Sequence, residues 1–382
     1  MRKEITVAFF GETIYPAPNI RWINYISSLP NIKAIVFTPD DDSSHISDKV
    51  TVYKLFGLYP VFRLSKRKEL TAKFEAILKK HKVDVLHFLW GVDLPMWINS
   101  LDYPSMITTR GSDMLRMLPR RLAMKFSFSK GWLGNYLMLR LHRKAYLKAK
   151  AITSTSIKQQ NKVKELVPNV KAEALHLIRS GVLIHEFMHE TLPKMDKENL
   201  VVFSPRTMKP LYNQDIILNA FNTLLKDYPN ATLRMINNHP NSDYGKQLKD
   251  QVAKLGIDKN VVLLPSQSTE GMHQEYVKSD VVVMIPTTDG TPVSALEGML
   301  ALRPVIVGDY DYDKDLFGDD FVWALPDISE SALVKMLKNI ITTPSEQLTE
   351  KISKAQKNAI NLTDRKKEME RIVSLYYTIM EE

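Results

Sequence analysis

The sequence predicts an α/β protein built from two Rossmann-like domains, each a parallel sheet covered on both faces, facing each other across a cleft. Three observations carry this prediction. The apolar runs at residues 5–10, 200–204 and 281–285 are short, continuous and rich in β-branched and aromatic side chains, the pattern of strands buried on both faces. These runs alternate with helix-length amphipathic segments, the pattern of βαβ units. The series then begins afresh beyond a polar stretch at 184–198 that contains Pro193, and 382 residues suffice for two domains.

Taken in order, residues 5–10 read as a strand that ends in the Gly11-Glu12-Thr13 loop. A helix follows over 19–28, a strand over 34–37 and a charged helix over 66–80. Strands over 83–87 and 106–109 come next, the first entering a turn at Gly91. Residues 112–149 read as helices broken at Gly131 and Gly134, before a strand over 151–153. The second series runs strand 200–204, helix 214–226, strand 232–236, helix 242–255, strand 261–264, helix 269–278, strand 281–285, helix 293–301 and strand 304–307. Residues 329–341 and 345–380 are helical. The expected domains are 1–185, with 365–382 crossing back onto it, and 186–364. Doubly wound sheets bind ligands at the carboxyl ends of their strands, so the loops after these strands are where function is expected.

Composition narrows the function classes. No cysteine means no disulfide scaffold, thiolate zinc site, iron–sulfur cluster or cysteine nucleophile. The net charge of +9 is placed very unevenly. Residues 114–164 hold 13 Lys and Arg and no acid, leaving 39 basic against 43 acidic residues elsewhere. One basic belt, rather than a basic coat, needs explaining. Glu4 follows Met1-Arg2-Lys3, and the apolar run behind it is too short for a signal peptide. No apolar run reaches the length of a membrane span.

The segment Asp289-Gly290-Thr291-Pro292-Val293-Ser294-Ala295-Leu296-Glu297 is the richest in chemistry. It links a strand to a helix. Gly290 lets backbone approach a ligand closely, Pro292 suits a first helical turn, and the N–H groups near Val293 and Ser294 make an anion site. With Asp289 in the loop and Glu297 about one turn into the helix, a phosphate cradle is bordered by carboxylates. That combination suits a nucleotide sugar: amides for the diphosphate, carboxylates for hydroxyls.

These residues resemble the acid-x7-acid motif of the GT-B fold retaining glycosyltransferases of family 4, the glycosyl transferases group 1. Asp289 stands where that family has its first Glu, and Gly290, Pro292, Glu297 and Pro304-Val305-Ile306 fill the following places. Gly11 stands at the family's first glycine-rich loop. Thr108-Thr109-Arg110-Gly111-Ser112-Asp113 resembles its Thr-His-Gly-x-Asp stretch, with Arg110 in place of His. Residues 178–182 with Phe187 resemble the interdomain hinge, and Ser204-Pro205-Arg206 the Gly-Arg that opens the second domain.

The resemblance implies transfer of a sugar from a nucleoside diphosphate donor with retained configuration. Arg206 and Lys209 would offset charge on the leaving diphosphate, with Lys209 three residues after Arg206 rather than the family's five. Residues 290–294 (Gly290, Thr291, Pro292, Val293, Ser294) would hold the diphosphate, Glu297 the ribose and Asp289 the donor sugar. No metal and no cofactor beyond the donor is expected. Arg110 cannot act as a base but can hold a phosphate or carboxylate. His87, at a strand end, is a candidate to line the cleft or a buried structural histidine. Asp113 either touches acceptor hydroxyls or caps the following helix. The acceptor is expected to be a glycan or lipid-linked precursor in surface polysaccharide or glycolipid synthesis. Two alternatives stay open: a nucleotide-sugar epimerase on the same fold, and a non-catalytic glycan-binding relative.

The belt has three readings. Arg116, Arg120, Arg121, Lys125, Lys130, Arg140, Arg143, Lys144, Lys148 and Lys150 alternate with Leu115, Leu118, Phe126, Phe128, Trp132, Tyr136, Leu137, Leu139 and Tyr146. That mixture suits an anionic membrane surface and places the protein in the cytoplasm at the inner membrane face. A merely solvated basic face is the second reading. Nucleic acid, the third, is not expected because no nucleic-acid motif accompanies the belt. His185-Glu186-Phe187-Met188-His189 spells a zinc-protease motif, but Gly181 and Pro193 limit any helix there and the extended form fails at Leu192 and Met195. The alternating Asp309, Asp311, Asp313 and Asp315 lack the Gly and Glu of a calcium loop.

Overall fold

A computed structural model describes residues 3–11, 17–123, 132–192 and 194–381. The chain divides into two compact units, Met1–Ser180 with Lys367–Glu382, and Gly181–Lys366.

Unit one is a seven-stranded, wholly parallel sheet. Its strands are β1 (Ile5–Phe10), β2 (Ile32–Thr38), β3 (Val50–Lys54), β4 (Val85–Phe88), β5 (Ser105–Thr109), β6 (Ala151–Ser154) and β7 (Leu175–Leu177), in the order β3-β2-β1-β4-β5-β6-β7. Alternation along β1 sends its side chains to two cores. Ile5, Val7 and Phe9 meet α1 (Ala17–Ser28) through Ile20, Trp22, Ile23 and Ile26. Ala8 and Phe10 face α2 (Leu64–Lys80) through Leu70, Phe74 and Leu78. The second face is also covered by a short π-helical turn (Asp113–Met117) running into α3 (Leu118–Ala123), and by α4 (Trp132–Lys148) and α5 (Ile157–Leu166).

Unit two repeats the plan with six parallel strands. These are β8 (Val201–Ser204), β9 (Thr232–Ile236), β10 (Val261–Leu264), β11 (Val281–Met284), β12 (Val305–Val307) and β13 (Trp323–Ala324), in the order β10-β9-β8-β11-β12-β13. Its helices are α6 (Ile184–Phe187), α7 (Gln214–Leu224), α8 (Asp243–Leu255), α9 (Thr269–Lys278), α10 (Val293–Leu300), α11 (Lys314–Phe317), α12 (Glu330–Thr342) and α13 (Ser345–Thr363). In both sheets the order reverses beside the first strand, between β1 and β4 and between β8 and β11. That reversal is the switch point at which doubly wound sheets open a crevice.

The last helix, α14 (Arg365–Glu381), sends Met369, Ile372, Val373, Tyr376 and Ile379 into the core of unit one. The segment 345–380, expected as helical, is two helices that part at Asp364. Asp364 adopts an extended conformation and bridges Val182, with Val182 N–H donating to Thr363 O at 2.8 Å and Arg365 N–H to Val182 O at 3.1 Å. Gly181 makes this approach possible: its φ is +67°, and a Cβ there would stand 2.7 Å from Arg365 Cα. Gly134 does not break a helix either. It lies inside α4, while Gly131 falls outside the described residues.

Candidate functional site

The strand ends that flank the switch point of unit two bring Arg206 and Asp289 together. Arg206 follows β8, Asp289 follows β11, and Arg206 Nη2 lies 3.3 Å from Asp289 Oδ2. The guanidinium also reaches Ser294 Oγ at 3.5 Å, donates to Tyr212 Oη at 2.6 Å, and stacks on the Tyr212 ring at 4.2 Å. Burial works against its charge, but Asp289 and Tyr212 outweigh burial and hold the group above its ordinary value. Two atoms here are buried without a hydrogen-bond partner, Arg206 Nε and Asp289 Oδ2. The 3.3 Å contact is thus an ion pair rather than a directed hydrogen bond, and it leaves polar capacity on both groups.

The glycine-rich loop continues this arrangement. Gly290 N–H donates to Asp289 Oδ1 at 2.7 Å, which fixes the carboxylate beside the loop. Pro292 is the N-cap of α10. The first amides bonded within that helix are those of Ala295 and Leu296, both to Pro292 O, so the N–H groups of Val293 and Ser294 stand ahead of the ladder. Glu297 is buried on the same helix and accepts from Tyr276 Oη at 2.8 Å; the same hydroxyl lies 3.0 Å from Ser294 O. Burial first, and Glu297 second, push the Tyr276 phenol far above its usual range, so it stays a donor. Gly298 lets α10 lie on the sheet: a Cβ would meet Val305 Cγ2 at 3.0 Å.

Arg206, Asp289, Gly290, Ser294 and Glu297 are therefore neighbours, with Thr291, Pro292 and Val293 on the connecting backbone. Lys209 is exposed at the head of the 3₁₀ turn Pro210–Tyr212. Tyr212, Tyr276 and Tyr312 were not expected. Tyr312 carries a buried hydroxyl without a hydrogen-bond partner and interacts electrostatically with Asp289. Only Tyr212 lies close in sequence to an expected residue; the other two come from distant segments and carry no local pattern.

In unit one, Gly11 is buried after β1, its N–H bonded to Phe37 O at 3.1 Å, while Glu12 and Thr13 lie outside the described residues. His87 does not line an opening, which corrects the catalytic expectation. It is fully buried, with Nδ1 2.7 Å from Tyr376 Oη and Nε2 2.6 Å from Thr108 Oγ1. Burial, with Arg110 second, pushes its pKa down to about 3, so both ring nitrogens serve the core as a neutral group. Asp113 is likewise buried and accepts N–H bonds from Gly91, Gly111 and Met114 at 2.8 Å and from Arg110 at 3.0 Å. Its oxygens hold the turn together. Arg110 stacks on Trp22 at 3.9 Å.

The zinc-protease spelling has no matching geometry, since α6 ends at Phe187 and His189 lies beyond it. Among the described residues no group of three His, Cys, Asp or Glu could hold a metal ion, and no helix is long and apolar enough to cross a membrane.

The folds of solved proteins decide the architecture. A glycosyltransferase of Rickettsia africae superposes with a TM-score of 0.78 at 14% identity, covering all of both chains. HepE (Alr3699) of Anabaena, solved in complex with UDP, gives 0.76 at 16% identity over 98% of this chain and 100% of that one. The chain has the GT-B fold. WaaG, a glycosyltransferase of lipopolysaccharide biosynthesis, shares this fold with a TM-score of 0.68 at 14% identity over 97% and 99% of the two chains. Residues 185–359 of the GT-B chain match the family model of the glycosyl transferases group 1, which spans the whole Arg206–Glu297 cluster. D-inositol 3-phosphate glycosyltransferase of Nocardia farcinica is 30% identical over 116 residues, 29% of this chain. The match spans about a quarter of that relative, 26% of its length.

Proposed function

We propose that the protein is a retaining glycosyltransferase that moves a hexosyl or N-acetylhexosaminyl group from a nucleoside diphosphate donor to a glycan or lipid-linked acceptor, in surface polysaccharide or glycolipid synthesis at the inner membrane face. The observation that carries this reading is the ion-paired Arg206 and Asp289 at the switch point of unit two, beside the amino end of α10. In this reading Arg206, Lys209 and the amides of residues 290–294 bind the diphosphate. The cation and aligned N–H dipoles stabilise the negative charge that builds on the departing oxygen, a contribution that grows where water is excluded. Glu297, held by Tyr276, accepts from ribose hydroxyls, and Asp289 from the donor sugar. The bond from the anomeric carbon to the diphosphate oxygen breaks as the bond to the acceptor oxygen forms on the same face, and the departing oxygen takes the acceptor hydroxyl's proton. The match to the glycosyl transferases group 1 over 185–359 supports the reaction class. The UDP and UDP-glucose complexes of HepE support a nucleoside diphosphate donor.

The test is a thermal-shift screen of nucleoside diphosphates, then transfer assays with the sugar forms of whichever stabilises the chain. Arg206→Ala is expected to weaken diphosphate binding about ten- to a hundredfold, the loss of a charge-assisted contact. Turnover unchanged in both Arg206→Ala and Glu297→Gln would place the site elsewhere. Release of an altered sugar without acceptor, seen by NMR, would make the enzyme an epimerase instead.

A further inference from the structure

The least satisfied charge among the described residues belongs to unit one. Arg110 follows β5, and its Nε, Nη1 and Nη2 are all buried with no hydrogen-bond partner. A buried guanidinium ordinarily finds a carboxylate, because removing its charge from water without one is costly. The groups that act on it electrostatically are already engaged. Asp113 gives its oxygens to four backbone N–H groups, Arg110's own amide among them. His87 is neutral, with both nitrogens occupied by Tyr376 and Thr108, and the Tyr376 hydroxyl is spent on that contact. Burial holds the guanidinium down to about 10, with Asp113 and Tyr376 pulling the other way, so it stays charged at neutral pH.

The group is nonetheless held in place. The Trp22 indole lies 3.9 Å beneath it, and the Asp113 carboxylate pins its backbone. Stacking fixes the plane of the fork and leaves its edge to meet an anion. A second orphan donor comes from the neighbouring strand end. Trp90 Nε1, two residues beyond β4, is also buried without a partner, and β4 and β5 pair directly. Arg110 as a whole is partly buried while its three nitrogens are covered, so an anion reaches the fork as the side chains over it move aside.

We infer that Arg110 is the anion-binding residue of a second site, in unit one, which takes the carboxylate or phosphate of an acidic acceptor. That the anion belongs to an acceptor rests on the glycosyl-transfer reading; that an anion binds here does not. The planar fork gives two parallel N–H···O bonds to either group.

The experiment uses the full chain carrying Arg206→Ala, to silence the diphosphate cluster, with ¹⁵N-labelled arginine and tryptophan. Inorganic phosphate and acetate are titrated separately. Saturable movement of the Arg110 side-chain resonances, identified by their loss in Arg110→Gln, is expected, together with the Trp22 and Trp90 indole resonances. Whichever anion saturates at lower concentration names the acidic group. In Arg110→Lys, which keeps the charge and loses the fork, affinity read from the indole resonances is expected to fall about tenfold. Arg110 resonances unmoved by both anions, or indole resonances that respond equally in Arg110→Gln, would overturn the site. If the wild-type chain binds no nucleoside diphosphate, the transferase reading fails while an anion-responsive Arg110 still stands. If it transfers sugar to neutral acceptors as fast as to acidic ones, the acceptor assignment alone falls.

Discussion

Two residues show how one side-chain type takes opposite roles from its surroundings. Arg206 has an acid beside it, and Arg110 has none free to pair with. On the proposed reading, the Arg206–Asp289 ion pair makes a diphosphate compete with Asp289 for the guanidinium. Asp289→Asn is therefore expected to bind nucleoside diphosphate at least as tightly as the wild type while losing turnover, a split that calorimetry and a transfer assay together would reveal. His87 makes a different prediction. Its folded pKa of about 3 lies below the ordinary 6.5, so the unfolded chain binds the extra proton between these values. The stability contributed by the neutral imidazole is complete above about pH 6.5 and is lost as pH falls through that window, by roughly 1.4 kcal/mol per pH unit. Urea midpoints at pH 7 and pH 5 are expected to differ less in His87→Gln than in the wild type. Equal differences would mean that some other group sets the acid limb. From sequence, His87 presented only a strand-end position. Its burial depends on Tyr376, 289 residues away, and no local pattern holds that information.

At the scale of elements, what was legible was whatever periodicity encodes. The continuous apolar runs became β1, β8 and β11, and the strand–glycine loop–helix spelling of 281–300 became β11 and α10. The edge strands β3, β7 and β13 escaped. Five, three and two residues long, with partial exposure, they are strands because a neighbour pairs with them. Helix α5 escaped too, since Gln159, Val163 and Leu166 alone are buried on it. Ser329 caps α12 by accepting from Ala332 N–H at 3.2 Å, and Ser329→Ala is expected to cost about 1 kcal/mol in chemical denaturation. The basic belt is corrected in part. Leu118, Leu139 and Tyr146 belong to the core of unit one. Lys125, Phe126, Phe128 and Lys130 lie outside the described residues, as do the side chains of Arg121 and Trp132. On α4, Leu133, Tyr136, Arg140, Lys144 and Leu147 remain exposed at helical spacing, with the two leucines about half accessible. We propose this stripe as the contact with anionic lipid. Arg140→Glu with Lys144→Glu is expected to weaken sedimentation with phosphatidylserine vesicles at least tenfold, given about 1 kcal/mol per basic residue. Binding that survives the change would leave the stripe a solvated face.

At the scale of the molecule, the two sheets repeat one strand order, and in unit two the Arg206–Asp289 pair stands at the point where that order reverses. The repetition was readable because the inner strands of both sheets and most of the helices between them show in the sequence. At the expected boundary of 364–365, what the sequence did not announce is the extended conformation of Asp364, which rests on its pairing with Val182. Unit one is discontinuous: α14 contributes five buried side chains to a core otherwise made by residues 5–178. Deleting residues 367–382 is expected to remove the unfolding transition of unit one and leave that of unit two in place, as calorimetry would show. The same arrangement sets a timetable for synthesis. On the ribosome, residues 5–178 emerge before α14, and Val7, Phe9, Trp22 and Ile23 lack the cover of Met369, Ile372 and Tyr376 until α14 has been made. Unit two, continuous in the chain, has all its residues first. The unit whose residues come first is thus completed after the other, and until α14 has been made it holds an open apolar face on which chaperones can act.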